Sequence, residues 1–241
     1  MRIEIWSDVV CPWCYIGKRR LEKALDSLVS TGSIAGTVEI VYRSFQLDPS
    51  APREATETVA EHLGAKYGGG ADAGQQMLDR VEAVAAEEGL LFRMREAKRG
   101  NTLDAHRLLH LALAEGPEIQ GRLKEELLAS YFLRAENVAD HDVLIRAAAA
   151  VGIDEVRAEE LLACDEYADA VEADIRRAAS LGANGVPFFV VDERYGVSGA
   201  QPVEVFEQVL QRAWDDAHPK LDVVGAPGAS YDVCGPDGCA I

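Results

Sequence analysis

Two cysteines two residues apart, in Cys11-Pro12-Trp13-Cys14, carry the chemistry most plainly legible in this sequence. Thiols at this spacing can exchange electrons with a disulfide: one thiolate attacks, a mixed disulfide forms, and the second thiol displaces the product. The pair stands at the end of an apolar run and at the start of a helical pattern. Unpaired N–H groups and the positive end of the helix dipole favour thiolate over thiol there. Cys11 is therefore the expected nucleophile and Cys14, one turn along, the resolving thiol. Pro12 suits a first helical position, because its missing N–H would have no intrahelical partner. A structural disulfide is disfavoured in a reducing compartment, and two cysteines alone cannot complete a tetrahedral zinc site.

Other groups invite the same questions. Cys234 and Cys239 enclose Gly-Pro-Asp-Gly, a turn sequence that would fold the two thiols together. Closing so short a loop stabilises little, on the order of 2 kcal/mol. An accessory pair exchanging electrons with Cys11 and Cys14, and a pair of inert thiols, both stay open. A four-cysteine zinc site is disfavoured, because Pro12 and Trp13 suit a redox loop and the second spacing is wide for zinc. His106 and His110 share a helical face without a third ligand, which suits a core-edge pair better than a metal. Cys164, alone in a helical stretch, reads as a small buried apolar residue. No metal site is expected.

The elements that must position these groups follow from periodicity. Ile3, Ile5, Val9 and Val10 read as a strand, Tyr15 to Leu28 as a helix, and Val38 to Phe45 as a second strand. From about Ala51 to Leu181 the patterns are helical: Glu54 to Lys66, ended by Gly68-Gly69-Gly70, then Ala73 to Glu88, Asn101 to Glu115 and four more. Strand character returns at Gly185 to Val191, turns at Asp192-Glu193, and continues through Tyr195 to Ser198 before a closing helix from Pro202 to Trp214. These spans predict an α/β domain formed by residues 1–50 and 182–216, interrupted by an all-helical domain at 51–181 and followed by an irregular tail at 217–241.

Composition sets outer bounds. The 241 residues are 48% apolar and 27% charged, values of a globular chain, and the net charge of −17 opposes nucleic acid or an anionic membrane as partner. No run of about 20 apolar residues is present. The start of the chain lacks a basic segment followed by an apolar stretch, so a cytoplasmic location is expected.

The Cys-Pro-Trp-Cys motif, the long helical insertion and the late Val186-Pro187 before a strand together resemble the DsbA-like branch of the thioredoxin superfamily, and so predict a thioredoxin fold with an inserted helical domain. More closely, Ser7-Asp8-Val9-Val10-Cys11-Pro12-Trp13-Cys14-Tyr15-Ile16-Gly17, Asn101-Thr102 with Ala105-His106-Arg107-Leu108, and Gly185-Val186-Pro187-Phe188-Phe189-Val190 are similar to the FrnE-like subgroup, over Arg2 to about Trp214. Some of its members carry a terminal C-x4-C like Cys234 and Cys239. The resemblance implies a thiol–disulfide oxidoreductase or isomerase acting on disulfides of proteins or small thiols, with Cys11 attacking and Cys14 resolving. It implies no cofactor beyond the cysteines and a low-molecular-weight thiol, and a reductant or oxidant as partner; monomer and homodimer both stay open. It also implies a cis Val186-Pro187 bond, where X-Pro statistics alone favour trans. Such a loop would expose the Val186 backbone to an extended substrate. Asn101, His106 and Arg107 would then lie at the domain junction, near Pro12 and Trp13, where substrate sits.

Related 2-hydroxychromene-2-carboxylate isomerases and kappa-class glutathione transferases typically carry serine where this chain has Cys11, so the two cysteines favour redox chemistry. A glutathione-dependent isomerase or transferase of an aromatic polyketide-like small molecule is the alternative, and a chaperone-like module binding through the groove beside Trp13 and Val186 is a second. Trp13 either tunes the thiols and faces substrate or packs over the loop. Asp8 would raise a neighbouring thiol's pKa unless it turns into a loop hydrogen bond.

Overall fold

A computed structural model describes residues 1–54 and 57–219 of the protein; Cys234 and Cys239 lie outside the described residues. The chain runs β1 (Arg2–Ser7), α1 (Pro12–Ser30), β2 (Glu39–Ser44), then seven helices, α2 (Val59–Tyr67), α3 (Gly70–Glu87), α4 (Leu103–Glu115), α5 (Pro117–Phe132), α6 (His141–Ala150), α7 (Glu155–Leu162) and α8 (Ala168–Ser180), and closes with β3 (Phe188–Val191), β4 (Tyr195–Ser198) and α9 (Val203–Ala217). The sheet order is β2-β1-β3-β4. Strand β1 is parallel to β2 and antiparallel to β3, which is antiparallel to β4. The turn between β3 and β4 has positive φ at Asp192 and Glu193, the mirror-image geometry that matches strand twist in tight hairpins.

Alternation in β1 explains how the sheet is covered. Ile3 and Ile5 join Phe189 and Val191 against Leu21 and Leu28 of α1 and Phe206 and Leu210 of α9. On the opposite face Trp6 and Val190 pack with Ala178 of α8, and Trp6 Nε1 donates to the Asp174 carbonyl at 2.8 Å. Strand β3 is therefore apolar on both faces, whereas beside Trp6 on β1 the buried Glu4 carboxylate accepts from Arg43 and Arg177.

The open edge of β2 is closed by side chains. Gln120 of α5 accepts from the Tyr42 N–H at 2.8 Å and donates to the Tyr42 carbonyl at 2.9 Å, while Asp174 of α8 accepts from the Ser44 N–H at 2.9 Å. An edge that could template another chain is blocked in this way, and the helical segment is registered on the sheet.

A second core contains Leu108, Leu127, Phe132, Leu144 and Leu161 of the inserted helices, and it also takes Val9, Tyr15 and Ile16. Helix α1 thus belongs to both cores: its first turns face the inserted helices, and its later turns face the sheet.

Local differences from the sequence expectations have physical causes. Strand β1 stops at Ser7, not Val10, because Asp8 turns the chain: its carboxylate accepts from the Val9 N–H at 2.8 Å, and the Cys11 N–H points back to the Asp8 carbonyl at 3.5 Å. Helix α2 begins at Val59, where Thr58 and Glu61 form a reciprocal capping box. Gly68 and Gly69 make the turn after α2, while Gly70 already opens α3. Cys164 is exposed, not buried, because it lies beyond the end of α7, with its Sγ 3.5 Å from the Leu161 carbonyl. Among the described residues, no helix is long and apolar enough to cross a membrane.

Candidate active site

Cys11 is the N-cap residue of α1, with extended backbone (φ −91°, ψ 114°), and Pro12 occupies the first helical turn. The Cys14 N–H donates to the Cys11 carbonyl at 3.0 Å, which fixes the two side chains on one end of the helix. Both thiols are free and only 3% exposed. The Cys11 Sγ lies 3.6 Å from the Val186 carbonyl oxygen. The Val186–Pro187 peptide bond is cis. This loop is held from both sides: the Gly199 N–H donates to the Pro187 carbonyl at 2.8 Å, and Gly17 of α1 lets the Pro187 ring approach, since a Cβ there would sit 3.1 Å from Pro187 Cγ.

The charge distribution differs from what the helix dipole alone predicts. The hydrogen bond Cys11 donates to Cys14, together with burial, pushes the Cys11 thiol up, and the Asp8 charge adds to this. Burial also acts to raise Cys14, but the hydrogen bond from Cys11 and the positive charge of Lys124 outweigh it and bring Cys14 below the ordinary thiol value. The two thiols titrate as a pair, the outer one pushed up and the inner one brought down. Cys11 nonetheless faces the groove described below, and Cys14 does not.

Lys124 of α5 is fully buried. Its Nζ donates to the Ser7 carbonyl at 3.3 Å and lies 5.8 Å from the centre of the Tyr42 ring. Burial brings its ammonium down to about 8, even though Cys14, Asp8 and Cys11 all act to raise it. No local signal in the sequence marks this residue; only its distant contact with Ser7 does.

Asp8 and His106 also lie under the motif. The Asp8 carboxylate accepts from the Val9 and Leu47 N–H groups at 2.8 Å each and from His106 Nε2 at 3.2 Å. Burial would raise this carboxyl, but His106 and the backbone donors hold it below the usual range. Burial lowers His106, so its ring is neutral, and among the described residues its buried Nδ1 has no partner. His110 turns elsewhere, to Ser44 Oγ at 3.1 Å and Asp174 at 3.2 Å. Among the described residues, no group of three or more His, Cys, Asp or Glu side chains could hold a metal ion.

Two residues expected near substrate have other work. Asn101 donates to the Pro49 and Ala51 carbonyls at 3.1 Å and accepts from the Leu103 N–H at 2.9 Å, so it ties the loop after β2 to the start of α4. Arg107 does not face the junction: it is 2% exposed, and its guanidinium binds Asp104 and the carbonyls of Leu161, Cys164 and Glu166. Its reach caps the end of α7, whose last carbonyls need donors.

A groove of about 410 Å³ opens at Cys11. Trp13, Pro12 and Val186 form one wall, and Leu78 and Val81 of α3 with Tyr131 of α5 form the other. Trp13 is 40% exposed, so its ring is a surface of the groove rather than core. Such a volume is within the range of small-molecule sites, and the open rim also admits a side chain of a larger substrate.

A family model described as DSBA-like thioredoxin domain matches residues 2–211. A crystal structure of a probable DsbA oxidoreductase from Streptomyces coelicolor is 44% identical, covers 100% of this chain and 99% of its own, and superposes with a TM-score of 0.82. A 2-hydroxychromene-2-carboxylate isomerase is 14% identical over 90% of this chain and 98% of its own, with a TM-score of 0.65. The cytosolic disulfide reductase DsbM from Pseudomonas aeruginosa, solved with GSH, is 16% identical over 88% of this chain and 98% of its own, with a TM-score of 0.57. The last two likenesses are of fold.

Proposed function

Since the chain belongs to the DsbA-like thioredoxin family of thiol oxidoreductases, we propose that it catalyses thiol–disulfide exchange through Cys11 and Cys14 on disulfides of proteins or small thiols. The observation that carries this reading is the placement of the Cys11 thiol at the groove, against the Val186 carbonyl, with Cys14 directly behind it. Cys11 loses its proton to solvent and attacks a substrate sulfur as the thiolate, and Cys14 does the same in its turn. The substrate S–S bond breaks, and the first product leaves as a thiolate. Cys14 then attacks Cys11, the second product leaves, and two electrons have moved from the protein dithiol to the substrate. The reverse sequence oxidises a dithiol. An incoming substrate backbone replaces Cys11 as the partner of the Val186 carbonyl.

Pro12 and Trp13 shape the rim, and Val186 and Pro187 supply the backbone edge; His106 and Asn101 act from beneath by fixing Asp8 and the loop after β2. No cofactor beyond the cysteines is required, and a low-molecular-weight thiol or a protein partner supplies or removes electrons. The cytosolic setting named for the Pseudomonas aeruginosa neighbour supports a cytoplasmic location. Cys234 and Cys239 would serve as the accessory pair.

The test is a titration in glutathione redox buffers, with mass spectrometry of alkylated peptides, alongside insulin reduction. A reversible Cys11–Cys14 disulfide and turnover abolished in Cys11→Ser are expected. Activity retained in Cys11→Ser would instead support glutathione-dependent isomerisation, for which the apolar groove is the relevant feature. Suppression of aggregation that survives alkylation of both thiols would support a chaperone-like module.

A further inference from the structure

The groove at Cys11 has a surface and a charge that thiol exchange leaves unused. Trp13, Leu47 and Tyr67, which are 40%, 47% and 63% exposed, all line it, and large apolar side chains gathered in water at one place mark a contact surface. A small thiol would fill the floor and leave this rim wet. An extended polypeptide covers both, with the Val186 backbone beside Cys11 as its edge.

One face of α2 forms part of the wall. Val59, His62, Leu63, Lys66 and Tyr67 line the groove at the spacing of a single helical stripe. Val59 and Leu63 pack on the core of the inserted helices, and Lys66 stands in the last turn. The neighbouring charges are taken. Asp48, the one carboxylate on the groove among the described residues, accepts from Arg99 Nε at 2.8 Å, and Glu57 lies 3.2 Å from both Arg99 Nη1 and His62 Nδ1. Lys66 differs: among the described residues no carboxylate lies within 4.0 Å of its ammonium, which stands 5.6 Å from the centre of the Tyr67 ring. In a chain of net charge −17, the unmatched charge of the groove is thus a cation.

We propose that Lys66 determines which disulfides are taken: the groove accepts an extended protein segment that places a bulky apolar side chain, next to its cysteine, on the floor and an acidic side chain against the Lys66 ammonium. This rests on the exchange function proposed above and names the substrate class of that same site. From Val59 to Lys66 the stripe runs about 10 Å along the helix axis, a span that about three residues of an extended chain cover. The acidic residue therefore stands about three positions from the apolar one. Such a contact selects, because the overall field of the protein repels an acidic segment and Lys66 is a local exception to it.

The experiment uses the reduced full chain and peptides whose single cysteine is capped with 2-mercaptoethanol. Phenylalanine adjoins the cysteine, and glutamate or lysine stands about three residues beyond it, in versions that run before or after the cysteine. The ratio of kcat/KM for the glutamate peptide to that for the lysine peptide should fall about three- to fivefold in Lys66→Gln and about tenfold in Lys66→Glu, and about 0.5 M NaCl should remove most of the difference. Lys66 is exposed, so both substitutions leave the core intact. Equal ratios in the three proteins, for both orders, would overturn the proposal. So would oxidised glutathione losing rate in Lys66→Glu while the glutamate peptides keep theirs, which would make a small thiol the occupant. Labelled peptides with serine in place of cysteine separate this subsite from the exchange reaction. If the wild type reduces none of the disulfides, the redox reading fails, and fluorescence anisotropy then tests the subsite alone: Lys66→Glu should weaken binding of the glutamate version relative to the lysine version, and an unchanged relative affinity would overturn the proposal.

Discussion

Asp8 and His106 meet in the interior across 98 residues of sequence, Oδ1 to Nε2 at 3.2 Å, with side-chain exposures of 0% and 1%. Both groups make stability depend on acid in the same direction. His106 is held neutral by burial, so the unfolded chain takes up its proton first, and stability falls as pH drops below about 6.5. Asp8 is held below the usual carboxyl range, so its contribution is present above about pH 4 and is lost as pH falls further. Urea midpoints should therefore decline from pH 7 to pH 5, and His106→Gln, which can still donate to Asp8, should flatten that segment. An unchanged slope in the variant would assign the decline to other groups.

Gly17 sets the distance between α1 and the loop that touches Cys11. An added Cβ would lie 3.1 Å from Pro187 Cγ and 3.2 Å from Phe189 Cζ. Gly17→Ala should cost about 1–3 kcal/mol of stability by overpacking. It should also loosen the contact between Cys11 and Val186, so that iodoacetamide alkylates Cys11 faster at pH 7. Chemical denaturation and peptide mass spectrometry read the two effects separately.

The far wall of the groove hangs on a different glycine. A Cβ on Gly74 of α3 would come 2.0 Å from the Ala60 carbonyl oxygen of α2, so the two backbones must part to admit it. Gly74→Ala should displace the α2–α3 pair and raise KM for a bulky apolar disulfide several-fold, while glutathione still reduces the Cys11–Cys14 bond normally. An unaltered KM would mean that this wall does not touch substrate.

Arg107 separates support from catalysis. Arg107→Lys leaves the carbonyls of Leu161, Cys164 and Glu166 short of donors that a single ammonium cannot replace. A loss of about 2–3 kcal/mol is expected, with kcat/KM for thiol exchange within about twofold of wild type. A fall in kcat/KM without a fall in stability would return Arg107 to the substrate site.

What could be read from the chain alone was local. The Cys11 to Cys14 spacing, Pro12 at a helix start, and the alternation of Ile3 and Ile5 each lie within a few residues of what they determine, and the strand and helix spans followed from them. Contacts that close over long separations were not legible. Lys124 reaches Ser7 across 117 residues and Asp8 reaches His106 across 98. No pattern near Lys124 distinguishes it from the exposed lysines of an acidic protein. Arg107 failed in another way: resemblance fixed its position on α4 but not the direction of its side chain, which turns to the end of α7. The opposite directions of the two thiol shifts were hidden too, because the helix dipole acts on Cys11 alone, whereas the interaction between the sulfurs acts on both and Lys124 on the inner one.

The contact between Cys11 and the Val186 carbonyl closes a span of 175 residues. At ribosomal speeds of roughly 5 to 20 residues per second, about ten to thirty-five seconds of synthesis separate the two. Through that interval the nascent chain carries Cys11 and Cys14 without the loop that covers Cys11. The dithiol is among the earliest segments to be made, yet its contact with the Val186 carbonyl forms only after the late strands arrive, so an interrupted translation product would carry the motif without that contact.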